Sequence, residues 1–223
     1  MRPVNKGHKE KEYNPYGTAR RDLFEAIGSY CSYCERNIHI GSEIEHVQPK
    51  TKVPEKEYSW DNFLLGCKNC NSTKNNKTVD DENLKDFVWP DIDDTYHMVQ
   101  YDPVTLMPSP APYLSDSDKA RVNRLISLVG LDKIMPKEDT QDYEEARDTR
   151  VEDRIQSAIE ARHYKQEYLD LPPDMQPVYL GILMNMIKKS HNWSIWMHEM
   201  EDIPELRAAL LDLLPGTRKE FFE

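Results

Sequence analysis

Cys31-Ser32-Tyr33-Cys34 and Cys67-Lys68-Asn69-Cys70 hold all four cysteines of the chain. Two Cys-x-x-Cys pairs supply four thiolates, the ligand set that surrounds a tetrahedral Zn²⁺ at ~2.3 Å. The competing readings are a redox dithiol and buried, unrelated cysteines. A redox site uses one such pair, not two with no cysteine left over. Structural disulfides belong to oxidising compartments. The spacing therefore predicts a structural Zn²⁺ site that clamps the ends of the 32 residues between the pairs, a segment too short to build much core alone. A zinc ion closed by four sulfurs has no open position, so chemistry has to be sought elsewhere.

Between the pairs lie Glu43-Ile44-Glu45-His46-Val47-Gln48-Pro49-Lys50 and Trp60-Asp61-Asn62-Phe63-Leu64-Leu65, and the second pair opens Cys67-Lys68-Asn69-Cys70-Asn71-Ser72-Thr73-Lys74. This order of elements resembles the HNH endonuclease family over roughly residues 28–78. The resemblance implies a two-stranded hairpin followed by a helix, with a divalent metal between them. It implies Glu45 as carboxylate ligand, His46 as the general base toward water, and Asn71 as an amide ligand at the start of the closing helix. Asn in place of a second His favours hard cations, Mg²⁺ or Mn²⁺. Asn62 takes the family's middle position, bracing the loop and orienting the base. Lys74, one helical turn beyond Asn71, is the first candidate for a phosphate contact, with Lys50 and Lys77 behind it. The blander readings are a strand histidine for His46, surface charge for Glu45 and a helix N-cap for Asn71. Trp60, Phe63, Leu64 and Leu65 are expected in the core, and His8 and His39 at the surface.

The net charge of −11 argues against a polyanion partner until it is divided along the chain. Residues 1–78 balance at +3 and residues 79–223 at −14, so the acidity lies outside the motif region. No apolar run approaches the ~18 residues of a membrane span. Met1-Arg2-Pro3-Val4-Asn5-Lys6 has no signal-peptide core, so a cytoplasmic protein with no membrane partner is expected.

The fold class expected is α+β and mostly helical, a small zinc-stapled ββα-metal unit followed by an acidic helical region. Residues 1–17 read as an extended arm, 18–90 as the nuclease core, 91–114 as a linker and 115–223 as helical. Leu23, Phe24, Ile27 and Tyr30 mark a helix before the first cysteine. Tyr96–Tyr101 followed by Asp102-Pro103 reads as a strand and turn. Ser115-Asp116-Ser117-Asp118 resembles a capping box for a helix with the stripe Val122, Leu125, Ile126 and Val129 that stops at Gly130. A charged helix is expected over about 137–168, with a seam of Val151, Ile155, Ala158 and Ile159. A third follows Pro172-Pro173, with Val178, Tyr179, Ile182, Met186 and Ile187 at helical intervals. A short fourth follows Pro204. Trp193 and Trp196 read as packing residues.

The length, the opening Met1-Arg2-Pro3-Val4-Asn5-Lys6-Gly7 and Tyr30-Cys31-Ser32-Tyr33-Cys34-Glu35-Arg36 are similar to the nuclease subunit of Septu-type antiphage defence systems, some of them retron-linked. That resemblance implies an ABC-type ATPase partner and nucleic acid as substrate, DNA ahead of RNA. The functions left open are an active nuclease, an RNA-cutting toxin-like effector and a zinc-clamped binding module that does not cut. A degenerate module is expected to have lost Glu45 or His46, and both are present.

Overall fold

The computed structural model describes residues 1–75, 77, 79–134 and 148–223. Its centre is a hairpin of two short strands, β1 (Glu43–His46) and β2 (Phe63–Gly66). They pair antiparallel with Glu43 opposite Gly66, Glu45 opposite Leu64 and His46 opposite Phe63. Phe63, Leu64 and Leu65 are fully buried, so β2 is covered on both faces, which explains its uninterrupted apolar run. Helix α1 (Ala19–Ile27) lays Ala19, Leu23 and Ile27 on the hairpin. Helix α2 (Lys68–Lys74) follows β2 directly, with Cys67 as its N-cap, the sulfur accepting from the Cys70 amide. The architecture is α+β with a ββα unit between the cysteine pairs.

A short helix α3 (Thr95–Met98) leads into a second hairpin, β3 (Val99–Tyr101) with β4 (Pro108–Pro110). The strand expected over Tyr96–Tyr101 is thus only half strand. The Asp94 carboxylate accepts from the His97 amide and caps a helical turn first. In α4 (Asp116–Val129), Ser115 caps Asp118 and all four expected stripe residues are buried. The helix ends at Gly130 in the left-handed conformation.

Helix α5 covers Arg150–Asp170; the 137–147 part of the expected helix falls outside the described residues. Its buried seam differs from the expected one. Val151, Arg154, Ala158 and Ala161 face inward at helical spacing, whereas Ile155 and Ile159 are exposed. Buried Arg154 donates to the carbonyls of Leu106 and Leu131, so a hydrogen-bonded guanidinium occupies the position the pattern gave to an isoleucine. Helices α6 (Gln176–Ile187), α7 (Trp193–Met200) and α8 (Pro204–Leu213) complete the chain. Trp193 and Trp196 are buried among Leu206, Leu210 and Met200. In α6 only Leu183 and Ile187 are buried, and Val178 and Ile182 of the expected stripe are exposed.

Residues 1–17 are packed against the rest of the chain: Met1, Arg2, Val4, Lys6 and Tyr13 are all buried. Lys6 Nζ donates to the carbonyls of Asp61 and Phe63 at 2.9 and 2.8 Å and pairs with Asp91 at 2.8 Å. Val4 bridges Thr217, and the Asn5 amide donates to Gly216. Gly216 adopts φ +67°, and a Cβ there would lie 2.4 Å from the Ala26 carbonyl oxygen, so no side chain fits. No helix among the described residues is long and apolar enough to cross a membrane.

Candidate active site and zinc cluster

The two Cys-x-x-Cys pairs meet where the turn after α1 approaches the start of α2. The four sulfurs lie within 4.8 Å of one another and all four cysteines are buried. Cys34 and Cys67 sulfurs are 3.6 Å apart, close to the ~3.8 Å edge of a tetrahedron with 2.3 Å zinc–sulfur bonds and far beyond a disulfide bond. The cluster fits a structural zinc ion.

Four thiolates around Zn²⁺ leave two net negative charges, and the surroundings answer them. Arg150 Nη1 donates to Cys70 Sγ at 3.1 Å. The same buried guanidinium donates to the carbonyls of Val129 and Gly130 and pairs with Asp148 at 2.6 Å. One side chain thereby ties the metal knuckle to the end of α4 and the start of α5. Arg36, two residues past Cys34, reaches Thr149, the N-cap of α5, and Asp153 in its first turn. Glu35 lies between them with φ +59° and is buried. Its carboxylate accepts from the Arg2 amide and from the amide and hydroxyl of Ser194, each of the latter at 2.8 Å. Its carbonyl accepts from the Asn192 amide. The first knuckle is therefore fastened to α7 as well.

On the other side of the hairpin, Glu45, His46 and Asn71 line one open cavity of about 340 Å³, together with Tyr16, Glu43, Lys50 and Lys68. Glu43 and Glu45 share a strand face. Glu45 is 1 % exposed, and burial raises its carboxyl above the usual range against the opposing pull of Lys74. Asn71 lies within α2 rather than at its cap, and its amide nitrogen donates to Glu43, so the amide oxygen takes no part in that bond. Gly66 leaves the space between these groups open: a Cβ there would come within 3.3 Å of the Glu45 Cβ and 3.6 Å of the Asn71 Cβ. Two carboxylates and an amide around this opening make an all-oxygen set of the kind hard cations accept.

His46 points away from that face but reaches the same cavity at the strand end. Its Nε2 is 2.9 Å from the Glu57 carbonyl oxygen. A carbonyl only accepts, so Nε2 carries the proton and Nδ1 keeps a lone pair in the neutral ring. Burial, with smaller pushes from Lys50 and Lys74, lowers the imidazole pKa, the Glu57 carbonyl opposing them. The ring is therefore neutral at pH 7 and able to accept a proton. Asn62, fully inside the loop, accepts from the Gln48 amide at 2.8 Å and donates to the carbonyls of Gln48 and Lys56 at 2.9 and 3.1 Å. The loop that presents the Glu57 carbonyl to His46 is thus pinned by one buried amide.

The lysines depart from expectation. Lys74 lines the cavity but is 2 % exposed. Its Nζ sits 2.6 Å from Glu45 Oε1 and 2.6 Å from the His46 carbonyl oxygen, so its charge is spent on the protein and a phosphate contact is the wrong role. Lys77 is absent from the cavity lining and instead donates to the Ser127 and Leu128 carbonyls, capping α4. Lys50 does line the cavity, 4.6 Å above the Tyr16 ring and 3.4 Å from Glu57. Sequence reasoning missed Glu43, Lys68 and Tyr16. The alternation of Glu43 with Glu45 was the available signal for the first.

A search of curated proteins finds no match to the chain. Residues 31–77, which carry both cysteine pairs, the β1–β2 hairpin and α2, match the family model of HNH endonucleases, and through this segment the chain carries an HNH endonuclease module.

Proposed function

We propose that this chain is a metal-dependent endonuclease that hydrolyses phosphodiester bonds, DNA ahead of RNA, with His46 as general base. The observation that carries the reading is the convergence of Glu45, His46 and Asn71 on one open cavity. Glu45 and Asn71, with Glu43 beside them, would hold Mg²⁺ or Mn²⁺. Bound there, the cation supplies neutralisation of charge on the phosphate and the leaving oxygen. His46 Nδ1 takes a proton from water as the water oxygen bonds to phosphorus. The phosphorus–oxygen ester bond then breaks, and the departing oxygen leaves to be protonated. Lys50, on the cavity rim, contacts a phosphate of the substrate. Asn62 and Lys74 hold the loop and the strand end on which His46 sits.

Incubation with plasmid DNA and with total RNA, in Mg²⁺ or Mn²⁺ and in EDTA, tests this directly. Metal-dependent cutting that EDTA stops is expected, with plasmid cut faster than RNA. RNA alone as substrate would move the protein to the toxin-like class. Binding without any cutting would sink the catalytic reading.

The finer reading is an antiphage effector in the cytoplasm, working with an ABC-type ATPase. It rests on the subfamily resemblance, on the division of charge along the chain, and on four buried free cysteines, which suit a reducing compartment. An apolar face on α6 and the turn before it, with Met175, Val178 and Ile182 more than half exposed, suits a protein contact. An ATPase is expected to co-purify with the nuclease at low salt, and its absence from that material would count against the pairing.

A further inference from the structure

We infer that Tyr16 is a positioning residue for the general base, so that the site is completed from outside the segment that holds the rest of it. The inference rests on the nuclease reading above.

General-base catalysis demands that the accepting nitrogen be held on its water, and misplacement by ~1 Å costs about 10²-fold in rate. The only hydrogen bond that fixes the His46 ring among those described runs from Nε2 to the Glu57 carbonyl. One such bond leaves the ring free to tilt about the line joining donor and acceptor. Two aromatic rings remove that freedom. Phe63, opposite His46 in the hairpin, stands 5.2 Å away at 86°. Tyr16 stands 4.9 Å away at 74°. Phe63 is fully buried and belongs to the core of the ββα unit. Tyr16 lines the cavity itself.

Tyr16 is well mounted for this task. It opens the 3₁₀ turn Tyr16–Thr18, where the Thr18 amide and hydroxyl both bond the Pro15 carbonyl, at 3.0 and 2.9 Å. The turn runs straight into α1, whose Leu23 and Ile27 are anchored in the core against β1 and β2. The ring is thus carried by a packed helix rather than by a free loop. Its face also receives the ammonium of Lys50, the candidate phosphate contact, at 4.6 Å, a cation–π interaction. Lys50 also has Glu57 at 3.4 Å, so its own place does not depend on the ring.

The test uses the full chain with Tyr16→Phe, Tyr16→Leu and Tyr16→Ala, measured under single-turnover conditions with Mn²⁺ and a duplex DNA substrate. Tyr16→Phe, which keeps the ring, is expected to cut within about 3-fold of wild type. Tyr16→Leu and Tyr16→Ala are expected to lose about 10- to 100-fold in rate constant while substrate Kd changes less than about 3-fold. An independent readout is the imidazole NMR signals of His46, displaced by the neighbouring rings. They are expected to keep their positions in Tyr16→Phe and to drift toward free-imidazole values in Tyr16→Leu. Wild-type cutting by Tyr16→Leu, a loss confined to Kd, or Tyr16→Phe falling as far as Tyr16→Ala would overturn the inference. A wild-type protein that cuts nothing defeats the nuclease reading instead, and the His46 signals still decide the positioning claim.

Discussion

His46→Ala is expected to give a protein that binds zinc at the parent level, unfolds within a few degrees of it, and cleaves neither plasmid nor RNA. The reason is that His46 is the one imidazole among the described residues lining the cavity, and hydroxyl and amide oxygens there are far weaker bases. Glu45 is engaged by Lys74, and Glu43 is engaged by Asn71. Loss of a general base lowers rates by about 10²- to 10⁴-fold, equivalent to ~3–5 kcal/mol of barrier. Stability should change far less. The ring is only half-buried, and its lost contacts with Tyr16, Phe63 and the Glu57 carbonyl are worth on the order of 1–2 kcal/mol. Single-turnover cleavage with a zinc assay and thermal unfolding separates the two effects. Persistent cutting by the variant would take the base role away from His46.

Removing zinc is expected to have the largest effect of all, and to act well beyond the ββα unit. Stripping the ion with a strong chelator, or Cys67→Ser, withdraws a binding energy on the order of 10–16 kcal/mol, comparable to the ~5–15 kcal/mol that hold a whole domain together. Both knuckles are riveted to the C-terminal helices: the first through Glu35 and Arg36 to α7 and α5, the second through Arg150 to α4 and α5. Without the ion, Arg150 loses the anionic sulfur it donates to, and a buried guanidinium is left under-compensated. Cys67 also caps α2, so its loss frays the helix that carries Asn71. Hydrogen exchange on metal-free protein should therefore show lost protection in α5 and α7 as well as in the hairpin. Native-like protection of those helices in the metal-free chain would mean that the two parts fold independently.

The cysteine framework, the hairpin and the following helix were legible in the sequence because each depends on local spacing. Two residues between paired cysteines, and two between Asn71 and Lys74, fix relative positions through a single turn of backbone. What escaped depends on distant pairing. Charged Arg2 and Lys6 look like surface residues until the carbonyls of Ile27, Asp61 and Phe63 receive them. Lys74 was placed on the correct face, but its stem is long enough to carry the ammonium inward to Glu45. Arg154 occupies an inward seam of α5 because carbonyls from two remote loops await it. Tyr16 stands thirty positions before His46 in the chain, a separation across which no periodicity reports contact.

The pairing of residues 3–5 with 216–218 bears on how the chain reaches its folded form. A ribosome makes residues 31–77 early and the segment that bridges to Val4 about 140 residues later. Until that late segment emerges, Arg2 has no Pro215 or Thr217 to hold. The two ends of the described chain thus clasp each other, and a nascent chain is expected to complete that clasp only once residues 215–218 have been made.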